Sequence, residues 1–382
     1  MIWPIFLLFS GLFLTAAIHP FFSYPLSLLA VRYFRRRPLV RAGSAAEETF
    51  AICLCAYNEE RVIEAKMRNL LELRQRIPTL DILVYVDAAT DRTAELLSRY
   101  ADNIKLHVSP VRHGKTHGMN LLVAMTEASI VVFTDANVMI APEALPNMRH
   151  YFADPEIGCV CGHLCYINPD ESVTAGVGSL YWRFEEWLKK IETETGSTLV
   201  ADGSLYAIRR SLHHRAPDDI IDDMFVSMNI ACDGHRVVQA IDVNAYEESV
   251  AAAQEEFTRK IRIACQSFNV HRLLWPKIRQ VNALTVYKYV SHKLLRWFSI
   301  YSLGLSALCF ELCLATAGLA RAAIMLAASV ALVLFVGRTW RLKPLAQIWD
   351  ILSSFLATGI GVWLSLRGQH FQTWTPAASI RR

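Results

Sequence analysis

Between residues 50 and 134, four short apolar runs rich in β-branched residues alternate with helix-patterned segments. The runs are Phe50 to Cys55, Ile82 to Val86, Ile104 to Val108 and Ile130 to Thr134. Between them lie Glu60 to Arg76, with Val62, Ile63, Met67, Leu70, Leu71 and Leu73 at helical spacing, then Arg92 to Tyr100 and His117 to Thr126. A strand that is apolar on both faces needs cover on both faces. Alternating strands and helices supply that cover in a mostly parallel sheet, so the fold class is α/β. In such sheets the ligand lies beyond the carboxyl ends of the strands.

The loops at those ends are therefore read as one site. They are Ala56-Tyr57-Asn58-Glu59-Glu60, Asp87-Ala88-Ala89-Thr90-Asp91, Arg112-His113-Gly114-Lys115 and Asp135-Ala136-Asn137. Carboxylates accept from the N–H and hydroxyl groups of a base and ribose, a lysine suits a diphosphate, and oxygen ligands suit Mg²⁺ or Mn²⁺. Asp87, Lys115 and Asp135 fill these needs in turn. There is no Walker loop, and no G-x-G-x-x-G follows the first strand, which argues against an ATPase or a dinucleotide enzyme. Singly, Asp87 and Asp91 are also good helix caps, and Asp135 and Asn137 good turn formers. The argument for a shared site rests on all four loops occurring in order.

Further on, Asp202-Gly203-Ser204 leads a strand ending in Arg209-Arg210, and Asp218, Asp219, Asp222 and Asp223 crowd into one short segment. Mutual repulsion raises carboxylate pKa values, which suits a general base for a hydroxyl. An exposed acidic helix start is the competing reading. Cys159-x-Cys161, Cys165 and His163 lack zinc-site spacing, and Ile157 to Tyr166 alternates like a strand, so these thiols are expected to be structural.

The hydrophobic content, 53%, concentrates at the two ends. Ile2 to Val31 holds no acid, Lys or Arg, and Pro20 and Pro25 are placed to kink it or shorten the span. Arg32, Arg35, Arg36 and Arg37 follow, so the amino terminus is expected outside and the middle of the chain in the cytoplasm. Phe298 to Leu319, Ala322 to Val336 and Leu345 to Leu366 read as further spans, with Arg338, Arg341 and Lys343 in a cytoplasmic link. Arg367, Arg381 and Arg382 then fall outside, against the positive-inside rule, unless the last segment is re-entrant. Glu311 and Asp350 interrupt apolar runs, either as functional groups or as paired and interfacial ones. Phe257 to Lys293 is basic and amphipathic and leads into the spans. It is expected on the cytoplasmic membrane face, and a nucleic-acid partner is not. The expected division is an anchor over 1–33, a basic linker over 34–48, a catalytic domain over 49–256, interfacial helices over 257–297, three spans over 298–366 and a tail over 367–382.

The ordered motifs Ala56 to Glu60, Asp87-x-x-Thr90-Asp91-x-Thr93, Gly114-Lys115-x-x-Gly118-x-Asn120, Asp135-Ala136-Asn137, Gly203 to Arg210 and Asp222-Asp223 resemble the membrane-bound glycosyltransferases of family 2. That group includes the cellulose, chitin-oligosaccharide, hyaluronan and poly-N-acetylglucosamine synthases. The resemblance implies a GT-A fold, a nucleotide-sugar donor (usually a UDP-sugar), Mg²⁺ or Mn²⁺, inversion at the anomeric carbon and an inner-membrane location. The implied acceptor is a glycan or a lipid-linked molecule, with polysaccharide export partners. It puts Ala56, Tyr57, Glu59, Asp87, Lys115, Asp135, Ala136 and Asn137 on the donor, with Asp135 and Asn137 at the metal. Asp223 becomes the base, with Asp222 beside it, and Gly203, Tyr206, Arg259 and Arg262 lie toward the acceptor. Three departures stand out. Asn137 replaces the second acid of D-x-D, Ala88-Ala89 replaces Gly-Ser, and Arg259-x-x-Arg262-Ile263 replaces Q-x-x-R-W. Without the stacking Trp, a single transfer is as compatible with the chain as processive synthesis. The departures also leave open a catalytically inactive partner subunit.

Overall fold

The computed structural model describes residues 2–39, 48–167, 173–248, 252–340 and 342–373. Most of the basic linker, with Arg341, Arg381 and Arg382, lies outside the described residues. Two helices lead the chain, α1 (Trp3–Ile18) and α2 (Ser23–Phe34). They are bent by 59° around Pro20, so the single apolar run is a broken pair.

The α/β domain follows as β1 (Phe50–Ala56), α3 (Ile63–Arg76), β2 (Asp81–Asp87), α4 (Thr93–Ser98), β3 (Lys105–Ser109), α5 (Lys115–Ala124), β4 (Ile130–Thr134), β5 (Met139–Ile140), α6 (Ala144–Phe152), β6 (Ile157–Tyr166), α7 (Val173–Glu194), β7 (Leu205–Arg209), α8 (Asp222–Cys232) and β8 (Arg236–Glu247). The eight strands form one sheet in the order β3-β2-β1-β4-β7-β6-β8-β5. Pairing is parallel from β3 through β4 and between β6 and β8, and antiparallel where β7 and β5 insert. Alternate residues of β1 serve two cores. Phe50, Ile52 and Leu54 pack on the face carrying Met67 and Leu70 of α3, while Ala51 and Cys53 join Met119 and Leu122 of α5. Burial on both faces is the reason β1, β2 and β4 are continuously apolar, whereas β3, at the sheet edge, is largely exposed. The cysteines are free thiols, and Cys159 and Cys161 point into one core.

Beyond the sheet come α9 (Ala253–Ile278), α10 (Ala283–Tyr289), a π-turn at Val290–Leu294, α11 (Leu295–Trp297), α12 (Ser299–Thr316), α13 (Ala320–Trp340) and α14 (Leu345–Leu366). The last three are long and apolar enough to cross a membrane. Apolar side chains such as Leu8, Leu308, Ile324 and Leu332 stand exposed on α1, α12 and α13. A helix apolar all round is at home in lipid. Ser10 and Ser306 hydrogen-bond where α1 meets α12. Glu311 is half-buried on α12.

The last helix behaves differently, because both of its ends meet the domain side. Near its start, Asp350 accepts from Thr174 Oγ1 of α7 at 3.1 Å, and Lys260 of α9 donates to Ser354 at 2.7 Å. At its end, Arg272 donates to the Ser365 carbonyl at 2.6 Å, and Asn269 to that of Gln369 at 3.0 Å. Gly361 is the point of closest approach, since a Cβ there would meet the Ile261 carbonyl at 2.5 Å. The end of α14, which Arg367 follows, therefore packs against α9, and Asp350 near its start has a partner on α7.

Candidate active site

The carboxyl ends of β1, β2 and β4 converge on a cleft of about 820 Å³, within the usual range for ligand sites. Its walls bring together Tyr57, Glu59, Asp87, Lys115, Asp135, Ala136, Asn137, Gly203, Asp222, Asp223, Arg259 and Arg262. Two expected residues are elsewhere. Ala56 faces the apolar core, because the alternation of β1 turns it inward. Tyr206 is also fully buried; it stacks on Phe133 at 4.6 Å and reaches Asp222 Oδ2 at 3.2 Å. It supports an acid from beneath and does not face an acceptor.

The first two loops brace each other. Asn58, at φ 53°, accepts from the Thr90 amide at 2.8 Å, and Asp91 accepts from the Glu60 and Thr93 amides. Ala88 also lies in the left-handed region at φ 52°, where Gly is easier. Asp87 is buried and receives the amides of His113 at 2.7 Å and Gly114 at 3.0 Å. It thereby fixes the loop that carries Lys115. The Arg112 guanidinium lies 3.5 Å from the centre of the Tyr57 ring, giving a flat cationic face at the Asp87 end of the cleft.

Lys115 begins α5 and donates to Asp135 Oδ1 at 2.6 Å. Burial alone would lower its pKa, but Asp135, Asp222 and Asp223 outweigh burial and hold it above its ordinary value. Below the Asp135 loop, Lys66 is fully buried and donates to Thr134 at 3.1 Å and to the Val138 carbonyl at 2.5 Å. Burial brings its pKa down to about 7.

Asp223 stands at the start of α8. Burial, then the charge of Asp222, pushes it up to about 7, with Lys115 opposing. Gly203 faces it so closely that a Cβ would lie 2.9 Å from Asp223 Oδ2 and 3.5 Å from Lys115 Nζ. The missing side chain keeps room beside that carboxylate. On the opposite wall Arg262 falls to about 9 through burial and the charge of Arg259.

Glu247 was not legible beforehand. It ends β8, 110 residues from Asn137, yet its Oε1 accepts from Asn137 Nδ2 at 2.8 Å. Phe371 and Thr373 also line the cleft. The segment carrying them returns from α14 across the mouth, with Gln266 donating to the Phe371 carbonyl at 2.6 Å and Gln372 to that of His113 at 2.9 Å. Neither contact leaves a local sequence signal, because both join distant elements.

The donor set suits a hard divalent cation. Asp135 gives one oxygen to Lys115 and keeps another, and Asn137 turns its amide oxygen away from Glu247. No group of three or more His, Cys, Asp or Glu suited to a metal occurs among the described residues, so a ligand such as a diphosphate would have to complete the shell.

The family model for glycosyl transferase family 2 matches residues 51–215. The chain carries a family 2 glycosyltransferase domain. The match ends before the Asp222-Asp223 pair, while the sheet of the glycosyltransferase domain continues through β8. The chain is 22% identical over 187 residues to a β-monoglucosyldiacylglycerol synthase of Trichormus variabilis, covering 48% of this chain and 40% of the relative. It is 25% identical over 205 residues to the O-antigen chain rhamnosyltransferase RfbN of Salmonella typhimurium, covering 50% and 65%. It spans less than two thirds of the length of these curated relatives. In three dimensions it resembles the mannosyltransferase PcManGT of Pyrobaculum calidifontis, solved with GDP-Man and Mn²⁺. The TM-score is 0.71 and the identity 23%, over 94% of this chain and 99% of the other. The glycosyltransferase domain thus has the GT-A fold.

Proposed function

We propose that this chain is a membrane-attached, inverting glycosyltransferase. It moves a sugar from a nucleoside-diphosphate donor, UDP-linked in our reading, to a hydroxyl of a lipid-linked or glycan acceptor. The observation that carries the reading is Asp223. It is a carboxylate tuned to about 7, facing the gap left by Gly203, in the same cleft as the Lys115–Asp135 pair. A base near neutral pH is matched to taking a proton from an alcohol. Asp223 would take that proton as the acceptor oxygen attacks the anomeric carbon, opposite the departing diphosphate.

Tyr57 and Arg112 would flank the base, and Lys115 would neutralise part of the diphosphate charge. Asp135 and Asn137 would hold Mg²⁺ or Mn²⁺, which supplies charge neutralisation on the leaving group. Ile263 stands where a stacking Trp would grip a growing chain, which favours one transfer per acceptor. The lipid-modifying and O-antigen relatives act on acceptors of the two classes proposed here.

We place the broken α1–α2 pair, α12 and α13 in the inner membrane, with the domain in the cytoplasm. The start of α14 meets α7 and α9 and its end meets α9, so we place it along the membrane surface instead of through it. A cleft mouth at that surface suits an acceptor anchored in lipid.

Purified protein given a panel of UDP- and GDP-sugars with Mn²⁺ and a membrane-lipid extract should release the nucleoside diphosphate. Asp223→Asn should abolish that release while retaining nucleotide binding. No release from any donor and no nucleotide binding would sink the proposal. Binding without turnover in the wild type would instead favour the inactive-subunit reading that Asn137 and Ile263 leave open.

A further inference from the structure

The contact between Asn137 and Glu247 carries a step beyond the assignment of Asp135 and Asn137, and it rests on the proposed donor site. A carboxylate only accepts hydrogen bonds. With Glu247 Oε1 at 2.8 Å, the near atom of the Asn137 amide is its nitrogen, and the oxygen points the other way. Both residues line the cleft, while Glu247 is 6% exposed and fixed at the end of β8, where the Ile167 amide donates to its carbonyl at 3.0 Å. Ser204 Oγ approaches its second oxygen at 3.4 Å. Glu247 is thus anchored on a strand, and Asn137 sits on the loop it steadies.

We propose that Glu247 is a positioning residue that replaces the lost acid of D-x-D at one remove. It orients the Asn137 amide so that oxygen faces the cation and, ionised once a cation sits beside it, returns to the site the negative charge that Asn137 gave up. The pair divides between two residues what one aspartate does alone: Asn137 supplies the ligand atom and Glu247 the charge. An outer partner that fixes a ligand's orientation and raises its basicity is a general device of metal sites. It also explains why Asn is accommodated here. An Asp at 137 would set two carboxylates face to face against Glu247.

The test is Mn²⁺ affinity, read by electron paramagnetic resonance on full-length protein saturated with UDP or GDP. Glu247→Gln keeps the shape, removes the charge and lets either end of the new amide face Asn137. It should weaken Mn²⁺ binding by about 10- to 100-fold. The exchange Asn137→Asp with Glu247→Gln keeps the hydrogen bond with its direction reversed and moves the charge to 137. It should restore most of the lost affinity. Wild-type affinity in the single variant, or an exchange variant no better than the single one, overturns the inference. If the single variant does not fold, the exchange variant decides alone: near-wild-type affinity supports the pair, and a loss of more than tenfold refutes it. If the wild type takes up Mn²⁺ with neither nucleotide, the donor-site reading itself fails, and the inference with it.

Discussion

Two clusters of acids among the described residues have their charges balanced in opposite ways. In the cleft, Asp135, Asp202, Asp222, Asp223 and Glu247 share Lys115, Arg259 and Arg262. Burial wins there, and Asp223 and Glu247 both rise to about 7. At the joint between domain and membrane helices, Glu185 and Glu192 of α7 are surrounded. His292, in the π-turn, places one ring nitrogen 2.7 Å from Glu192 and the other 3.0 Å from Glu185. Lys293 and Arg296 bind Glu185 at 2.9 and 2.5 Å, and Tyr24 of α2 donates to Glu192 at 2.5 Å. Burial would raise both acids, but His292 and the neighbouring cations win: Glu185 falls well below its usual range and Glu192 to about 2. The same residue type thus marks a reactive cleft where cations are scarce and a structural joint where they are plentiful.

The sharpest separation is between activity and stability. Asp223→Asn should lower kcat by about 10²–10⁴-fold, the usual worth of a general base. It should not lower the melting temperature. An equal fall in melting temperature would show that Asp223 belongs to the scaffold. Glu192→Gln should do the reverse. Breaking a matched buried cluster costs about 3–5 kcal/mol. The melting temperature of detergent-solubilised protein should drop, while nucleotide affinity of the remaining folded protein stays.

The pH responses should also oppose. Asp223 must be ionised to act, so turnover should rise as pH climbs through about 7, and a flat profile from pH 5 to 8 would remove it as the base. Its folded pKa lies above the unfolded value of 3.8, so ionising it costs stability increasingly from that value up to about 7. Asp223→Asn should therefore melt higher than wild type at pH 8, and the gap should close toward pH 4. For Glu192 the folded pKa lies below the unfolded value of 4.5. Its contribution is complete above that value and is lost as pH falls through about 2. Smallest of all, Ala88→Gly relieves a left-handed alanine at the cleft edge. After the entropy cost of Gly, it should add up to about 1 kcal/mol in denaturant titrations.

The cleft was more legible in sequence than the joint. Tyr57, Glu59, Asp87, Lys115, Asp135, Asn137 and the Asp222-Asp223 pair sit just past strand ends or at helix starts, where an abrupt change from apolar to polar residues betrays them; Glu247, Phe371 and Thr373 carry no such mark. The strands themselves appear within a residue or two of their apolar runs, because in β1, β2 and β4 burial on both faces leaves no ambiguity of period. Tyr206 and Ala56 were misplaced because a motif gives spacing, whereas the pleat decides which way a side chain turns. Glu185, Glu192 and His292 carry no pattern at all. Their partners come from α2, α7 and the π-turn, and only packing brings them together. Hydropathy treats α12, α13 and α14 alike, and it does not show that α14 packs along α9. Length and apolarity license a span, and neighbours decide the path.

The path of the carboxyl-terminal segment has a practical corollary. Thr373 already borders the cleft loops. A bulky label attached at that position would stand in the doorway of the cleft, where it obstructs a large acceptor or, used deliberately, reports its arrival.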